Sequence, residues 1–411
     1  MKRTRTTTRR TLRLAAVPLA LALVAGACGS DDDSSDSGDS GSGDTETTEA
    51  TEGTEATEGT EAADGGDAGG DMATAECAVD EVDGDLAMYN WAEYIDPEQL
   101  QEFADQYGIS ATMDVYDSNE VMQQQISAGN SGYDLVVPSD YMVSILIASE
   151  RIQPLNQDAI PNLANLATEF QGLDYDPDST YSVPYQAGTT GLAVDTAVVG
   201  TDFPRSWGIV FDPALADEFS GAISLLNDPR ETMGAALKYL GYSLNTTSQD
   251  ELDEARDLVS SARGNLAAFN TDSADELLTS GETAIGHGYS GDMFTQILET
   301  DGGTDQYVYF VPEEGGTRWI DNMAIPFDAP HPCTAHTFIN WLMDGEQGAA
   351  LANWNYYTTP NEAAKPFLDE HLLAFLEDPE VIVGGEESLE LIEDTGDFEI
   401  NYSDAFTEAK G

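Results

Sequence analysis

The chain has 411 residues, of which 77 are Asp or Glu and 15 are Lys or Arg, for a formal net charge of −62 at pH 7. Such an excess of acid argues against nucleic acid or anionic lipid headgroups as ligands. It does not by itself select a cation, because a surface acidified for solubility or for a saline habitat has the same composition.

Residues 1–13 carry six basic side chains and no acid, Leu14 to Ala25 is almost wholly apolar, and Ala25-Gly26-Ala27-Cys28 places small residues before a cysteine. This is the layout of an export signal. It is similar to a bacterial lipoprotein signal, which implies a signal peptide of residues 1–27 and lipidation of Cys28, although Ala25 stands where such motifs usually have leucine. Thr8-Arg9-Arg10-Thr11-Leu12 also resembles a twin-arginine motif, so the export route stays open. A dozen apolar residues is too short to span a bilayer, and no later run reaches about 18. The expectation is an extracytoplasmic protein, in the periplasm or at the cell surface, touching the membrane only through its lipid.

Residues 28–76 are expected to be a disordered acidic linker. Gly29 to Glu76 holds 16 acids and no base, and the unit Thr-Glu-Ala-Thr-Glu-Gly occurs at 48–53 and again at 54–59. Without hydrophobic periodicity nothing offsets the entropy of ordering, and mutual repulsion keeps such a tether extended.

The remaining 335 residues, 77–411, are enough for two lobes with their own cores. With Cys28 given to lipid, Cys77 and Cys333 are an even number in an oxidising compartment, and a disulfide between them is expected. The rival is a metal cluster of His331, Cys333 and His336, which lacks the paired-cysteine spacing of structural zinc sites. Leu86 to Asn90 reads as a strand. Asp96 then caps a helix with Pro97 at its first position, Gln99 placed to bond back, and Leu100, Phe103, Ala104 and Tyr107 as its buried stripe before Gly108. Ser110 to Tyr116 is a second strand, Asp117 and Glu120 cap a helix over Val121 to Ala128, and Asp134 to Val137 is a third strand. The alternation predicts a doubly wound α/β lobe, whose ligands bind beyond the carboxyl ends of the strands.

Trp91, Asp140 and Tyr141 fall at that end. Far along the chain, Trp319 and Asp321 lie two apart on a predicted strand, so they share a face and can hold an organic cation between a ring and an anion. The same pairing occurs in Tyr89-Asn90-Trp91-Ala92-Glu93-Tyr94. Two such clusters more than 200 residues apart suggest one cleft closed from two sides.

Eight segments then occur in order. They are Tyr-Asn-Trp-Ala-Glu-Tyr (89–94), Tyr-Asp-Ser-Asn-Glu (116–120), Tyr-Asp-Leu-Val-Val-Pro-Ser (133–139), Tyr-Ser-Val-Pro-Tyr (181–185), Asp-Pro-Arg-Glu (228–231), Ala-Ala-Phe-Asn (267–270), Trp-Ile-Asp-Asn-Met-Ala-Ile-Pro (319–326) and Thr-Pro-Asn (359–361). Together they resemble the spermidine- and putrescine-binding proteins of bacterial ABC importers, over nearly all of 84–365. The resemblance implies a two-lobed, periplasmic-binding-protein-like α/β fold of type II, with lobe 1 at about 84–190 plus 324–360 and lobe 2 at about 191–323 plus 361–411. It further implies a non-enzymatic monomer that needs no cofactor and hands a polyamine to an ABC permease. Carried over residue by residue, it puts Trp91, Glu93, Tyr94 and Tyr141 on one wall and Asp228, Glu231, Trp319 and Asp321 on the facing side, with Tyr357 as a further aromatic. Tyr289 stands where similar proteins often have tryptophan, Asp140 adds a carboxylate where a small hydroxyl is common, and the polar residue usual near the C-terminus has no clear counterpart in Asp397 to Tyr402.

The bland readings remain beside these. Asp228, Pro229 and Glu231 make a capping box, Trp91 and Trp319 could be core, and Glu93 could be a solvated acid. Gly286-His287-Gly288-Tyr289-Ser290-Gly291 fits a dinucleotide fingerprint but lies too deep in the chain, and Asp292 occupies the last glycine of a nucleophile elbow at Ser290. Asp174, Asp176 and Asp178 begin like a calcium loop that Pro177, Ser179 and Tyr185 fail to complete. Tyr356-Tyr357 is similar to the phenolate pair of ferric-ion-binding proteins, which keeps a ferric receptor, and more remotely a metal-dependent hydrolase, as alternatives.

Overall fold

The computed structural model describes residues 74–411. The signal, Cys28 and almost all of the acidic linker lie outside the described residues. Ten strands are present among the described residues: β1 (Leu86–Trp91), β2 (Ala111–Tyr116), β3 (Leu135–Val136), β4 (Ser182–Asp195), β5 (Ile223–Leu225), β6 (Leu266–Phe269), β7 (Ile285–Tyr289), β8 (Tyr307–Phe310), β9 (Thr317–Ala324) and β10 (Glu390–Leu391). They run in the order β2-β1-β3-β9-β4-β7-β5-β6, with β10 on β9 and β8 on β4. β1 pairs parallel with β2 and β3, and β5 pairs parallel with β6 and β7. These are the two crossover-wound halves that the early α/β alternation predicts once and the chain builds twice.

β4 belongs to both halves. Its residues Ser182 to Thr189 pair antiparallel with β9, and its residues Thr190 to Val194 pair with β7. Each half has its own core. Leu86, Met88, Leu135, Val137, Phe103 and Phe338 pack together in the first lobe, and Leu192, Ile223, Leu225, Ile285, Trp207 and Leu237 in the second. The helix Glu399–Lys410 adds Tyr402 and Phe406 to the second core. Among the described residues no helix is long and apolar enough to cross a membrane.

Local rules explain several element ends, with departures. The helix Pro97–Tyr107 starts at Asp96, whose carboxylate accepts from Glu98 N, and stops at Gly108 with φ of 69°. Only glycine takes that conformation without steric cost. Gln99 does not bond back to the cap: its amide donates to the Gln347 carbonyl at 2.8 Å, tying the helix to a distant one. Tyr107 is only half buried. The next helix, Asn119–Ser127, is capped by Ser118 rather than Asp117, with Ser118 Oγ accepting from Val121 N. Serine one residue on reaches the third amide of the helix just as well, and composition alone does not choose between them.

β9 corrects the expected lobe assignment of residues 317–323. Val136 of β3 pairs with Ala324, and Trp319, Ile320 and Met323 are buried in the first core. The strand therefore belongs to the sheet of the first lobe. Cys77 and Cys333 are joined by a disulfide with Cα atoms 5.3 Å apart, tying the start of the described chain to the helix Pro332–Leu342. His331 and His336 are engaged separately: Asn156 N donates to His336 Nε2 at 2.8 Å, and His331 Nδ1 lies 3.4 Å from Asp134. The Asp176 carboxylate accepts from Thr180 N, Tyr181 N, Ser182 N and Ser182 Oγ, so the chain itself uses it to set a turn.

Candidate ligand-binding cleft

A cleft lies between the lobes, at the carboxyl ends of β1, β3 and β7. All eleven ligand residues expected from the sequence line it: Trp91, Glu93, Tyr94, Asp140, Tyr141, Asp228, Glu231, Tyr289, Trp319, Asp321 and Tyr357. The positions follow from the elements. Trp91 ends β1, Asp140 and Tyr141 open the helix Asp140–Ala148, Asp228 caps the helix Pro229–Leu240, Tyr289 ends β7, and Trp319 and Asp321 share one face of β9. Because β9 lies in the first sheet, Trp319 and Asp321 stand beside Tyr94 rather than opposite it, correcting the expected division of the walls.

The rings form a continuous box. Trp91 meets Tyr289 across the cleft at 6.5 Å between centroids, Tyr289 meets Trp319 at 5.9 Å, Trp319 meets Tyr357 at 5.2 Å, and Tyr357 meets Tyr94 at 5.2 Å. Each pair is edge-on, which turns ring faces toward other neighbours. Trp91 Nε1 donates to the Val137 carbonyl at 3.0 Å and Trp319 Nε1 to Thr190 Oγ1 at 3.2 Å, so both indoles are fixed in place. Gly188 makes room for the second: a Cβ there would come within 2.5 Å of Cζ2 of Trp319.

Seven carboxylates line the same space, those of Glu93, Asp140, Asp228, Glu231, Asp272, Asp292 and Asp321, and no lysine or arginine does. Asp321, 5% exposed, accepts from Ser139 Oγ at 2.7 Å, and burial pushes its carboxyl up to about 7 against the help of that bond. Asp140 accepts from Tyr141 N at 2.8 Å and Ile320 N at 3.1 Å. Burial, with the like charges of Asp321 and Glu231, still raises it to about 8. Glu231 accepts from Thr190 Oγ1 at 3.0 Å and Thr317 Oγ1 at 2.7 Å and is pushed by burial to about 7. It does not reach back to complete the capping box, whose other half is present: Asp228 Oδ1 accepts from Glu231 N at 3.0 Å. Burial also raises Asp228 and Asp292 well above the carboxylate range. In each case burial is the largest cause, because it strips water from the charged form.

Asp272, Asp292, Thr271 and Ile392 were not anticipated as cleft residues. Asp292 had a legible signal, since it opens the helix Ser290–Glu299 directly after β7, where ligands of wound sheets sit. Asp272 and Ile392 are brought in by loops and had none. Tyr356 and Tyr357 diverge: Tyr357 lines the cleft, while the Tyr356 ring packs on Phe294 at 5.5 Å. Among the described residues no three His, Cys, Asp or Glu side chains converge as metal ligands. The glycines of the dinucleotide-like run have a packing role, for a Cβ on Gly288 would fall 2.3 Å from Cε of Met293.

Residues 98–375 match the family described as bacterial extracellular solute-binding protein. The chain belongs to that family. Among its relatives, a putrescine/cadaverine-binding protein of Pseudomonas aeruginosa is 34% identical over 69% of this chain and 81% of its own. A spermidine/putrescine-binding periplasmic protein of Salmonella typhimurium is 34% identical over 73% of this chain and 84% of its own. The solved structure of a putative spermidine/putrescine ABC transporter from Listeria monocytogenes superposes with a TM-score of 0.72 at 31% identity, covering 80% of this chain and 99% of that one. The architecture of this solute-binding protein is thus the two-lobed type II α/β fold.

Proposed function

We propose that this solute-binding protein is a receptor for linear polyamines that delivers them to an ABC permease, working outside the cytoplasm on a lipid anchored at Cys28. The observation that carries the reading is the cleft itself, with seven carboxylates, no base and a box of aromatic rings. A polyamine is a string of ammonium groups separated by methylenes, so its site needs carboxylates at intervals and ring faces between them. Taking each ammonium out of water costs several kcal/mol, on the order of the single-ion penalty, unless it meets an anion. The raised carboxyls and the incoming cations are each other's missing counter-charge. The polyamine-binding relatives support the same class of ligand.

Asp321 is assigned to an interior ammonium, Asp228 with Glu231 to one end, and Glu93, Asp140 and Asp292 to the remainder. A triamine satisfies more of these than a diamine, so spermidine is expected to bind more tightly than putrescine. Nothing in this assignment calls for a chemical step on the ligand. Titration calorimetry with spermidine, putrescine and ferric citrate tests it. Putrescine binding more tightly than spermidine refutes the placement of charges, and ferric binding without amine binding refutes the ligand class.

A further inference from the structure

Arg230 stands in sequence between Asp228 and Glu231 yet does not reach the cleft; it is 1% exposed. Its Nη1 donates to the Glu399 carboxylate at 2.6 Å and the Glu393 carbonyl at 3.2 Å, and its Nη2 donates to Asn245 Oδ1 at 2.9 Å. Asn245 in turn accepts from Glu393 N at 2.8 Å, which closes the network around the end of the chain. The guanidinium is therefore held from the side of the second lobe. Its Nε has no hydrogen-bond partner among the described residues, and two rings flank the group instead, Tyr402 with its centroid 4.4 Å from Cζ and Tyr141 at 5.5 Å. Tyr402 belongs to the second core. Tyr141 lines the cleft from the helix Asp140–Ala148, and its hydroxyl donates to Glu120 at 2.9 Å, so the first lobe positions it independently.

We propose that Arg230 is a positioning residue for ligand retention, a fixed cationic shelf on which Tyr141 lands when the lobes close, holding the cleft shut without touching the ligand. A contact between two groups already set in place loses little ordering entropy when it forms. A desolvated guanidinium against a ring is strong for a non-bonded pair, and its planar face is what a lysine lacks. Because the contact joins the lobes only when they meet, it acts on escape rather than on encounter.

Stopped-flow fluorescence of the full-length protein with spermidine tests this. Arg230→Lys keeps a partner for Glu399, and its dissociation rate should rise about ten-fold with no fall in the association rate. In a Tyr141→Leu background, which lacks the ring, the same change should alter dissociation less than about two-fold. Equal effects in the two backgrounds, as a merely structural role requires, overturn the proposal, as does a slowed association with unchanged dissociation. The probe rests on the polyamine reading, and the parent separates the two. A parent that does not bind spermidine refutes that reading. Small-angle scattering of the unliganded protein then decides the shelf, with a larger radius of gyration expected for Arg230→Lys and equal radii overturning it.

Discussion

Replacing Asp321 by asparagine removes one charge from the centre of the cleft and little else. The amide keeps the shape and can still accept from Ser139 Oγ, whose bond to Asp321 is 2.7 Å. Trp319 and Tyr357 keep their mutual edge contact. What changes is that an interior ammonium loses its anion in a site where Asp321 is only 5% exposed. Truncating one partner of a buried ion pair costs roughly 2–5 kcal/mol, and the retained hydrogen bond argues for the lower end, about 2–3 kcal/mol or 30- to 150-fold in Kd. Calorimetry with spermidine on parent and Asp321→Asn reads this directly. Glu93→Gln, at an exposed position, and Tyr289→Phe, which keeps the ring, should each cost less. Asp321→Asn binding within three-fold of the parent refutes the assignment of the interior cation.

The acids also predict a pH dependence. The carboxyls of Asp321 and Glu231, raised to about 7, and of Asp140, raised to about 8, hold protons in the folded protein that the unfolded chain has already released. The folded state binds more protons, so stability of the unliganded protein falls as pH rises from the ordinary carboxylate range through about 8. Thermal melts should show a higher Tm at pH 5 than at pH 8 without ligand, and a larger rise on adding spermidine at pH 8; the opposite order contradicts the burial account. Cys28→Ser should release the protein from membranes or leave it unprocessed, and unchanged partition with a mature N-terminus elsewhere rejects the anchor. Mass spectrometry of unreduced protein should find Cys77 and Cys333 bridged; the bridge closes a long loop and contributes on the order of 2–4 kcal/mol, while two free thiols reject it.

The first lobe was readable because its strands and helices alternate with clean hydrophobic periods. The cleft was readable because Trp91 and Tyr94, Trp319 and Asp321 sit in short runs of aromatic beside acid. Pairing across the chain was not readable in the same way. That β9 joins the first sheet depends on Val136 meeting Ala324, a contact between residues 188 positions apart that no local pattern encodes. The same holds for Gln99 and Glu231, whose local spacing suits a helix start but whose side chains are claimed by Gln347 and by two threonines. Capping propensity is worth about 1 kcal/mol, too little to outweigh a buried tertiary bond.

The passage of β4 from one sheet to the other has a mechanical meaning. Its fourteen residues span about 45 Å as one strand, with partners in both halves, so the halves are joined by one hydrogen-bonded beam with a register shift between Pro184 and Gln186. They can neither slide nor part without breaking ladder bonds. The softest remaining freedom is flexure and twist near Thr189 and Thr190, where the beam changes partners. Thr190 is also the residue that receives the Trp319 indole and donates to Glu231. Two side chains of the cleft wall are therefore tied to the fulcrum, where a displacement of a fraction of an ångström becomes ångströms at the far rims of the lobes. A receptor built this way transmits occupancy as a change of outline, which another protein can sense without access to the ligand.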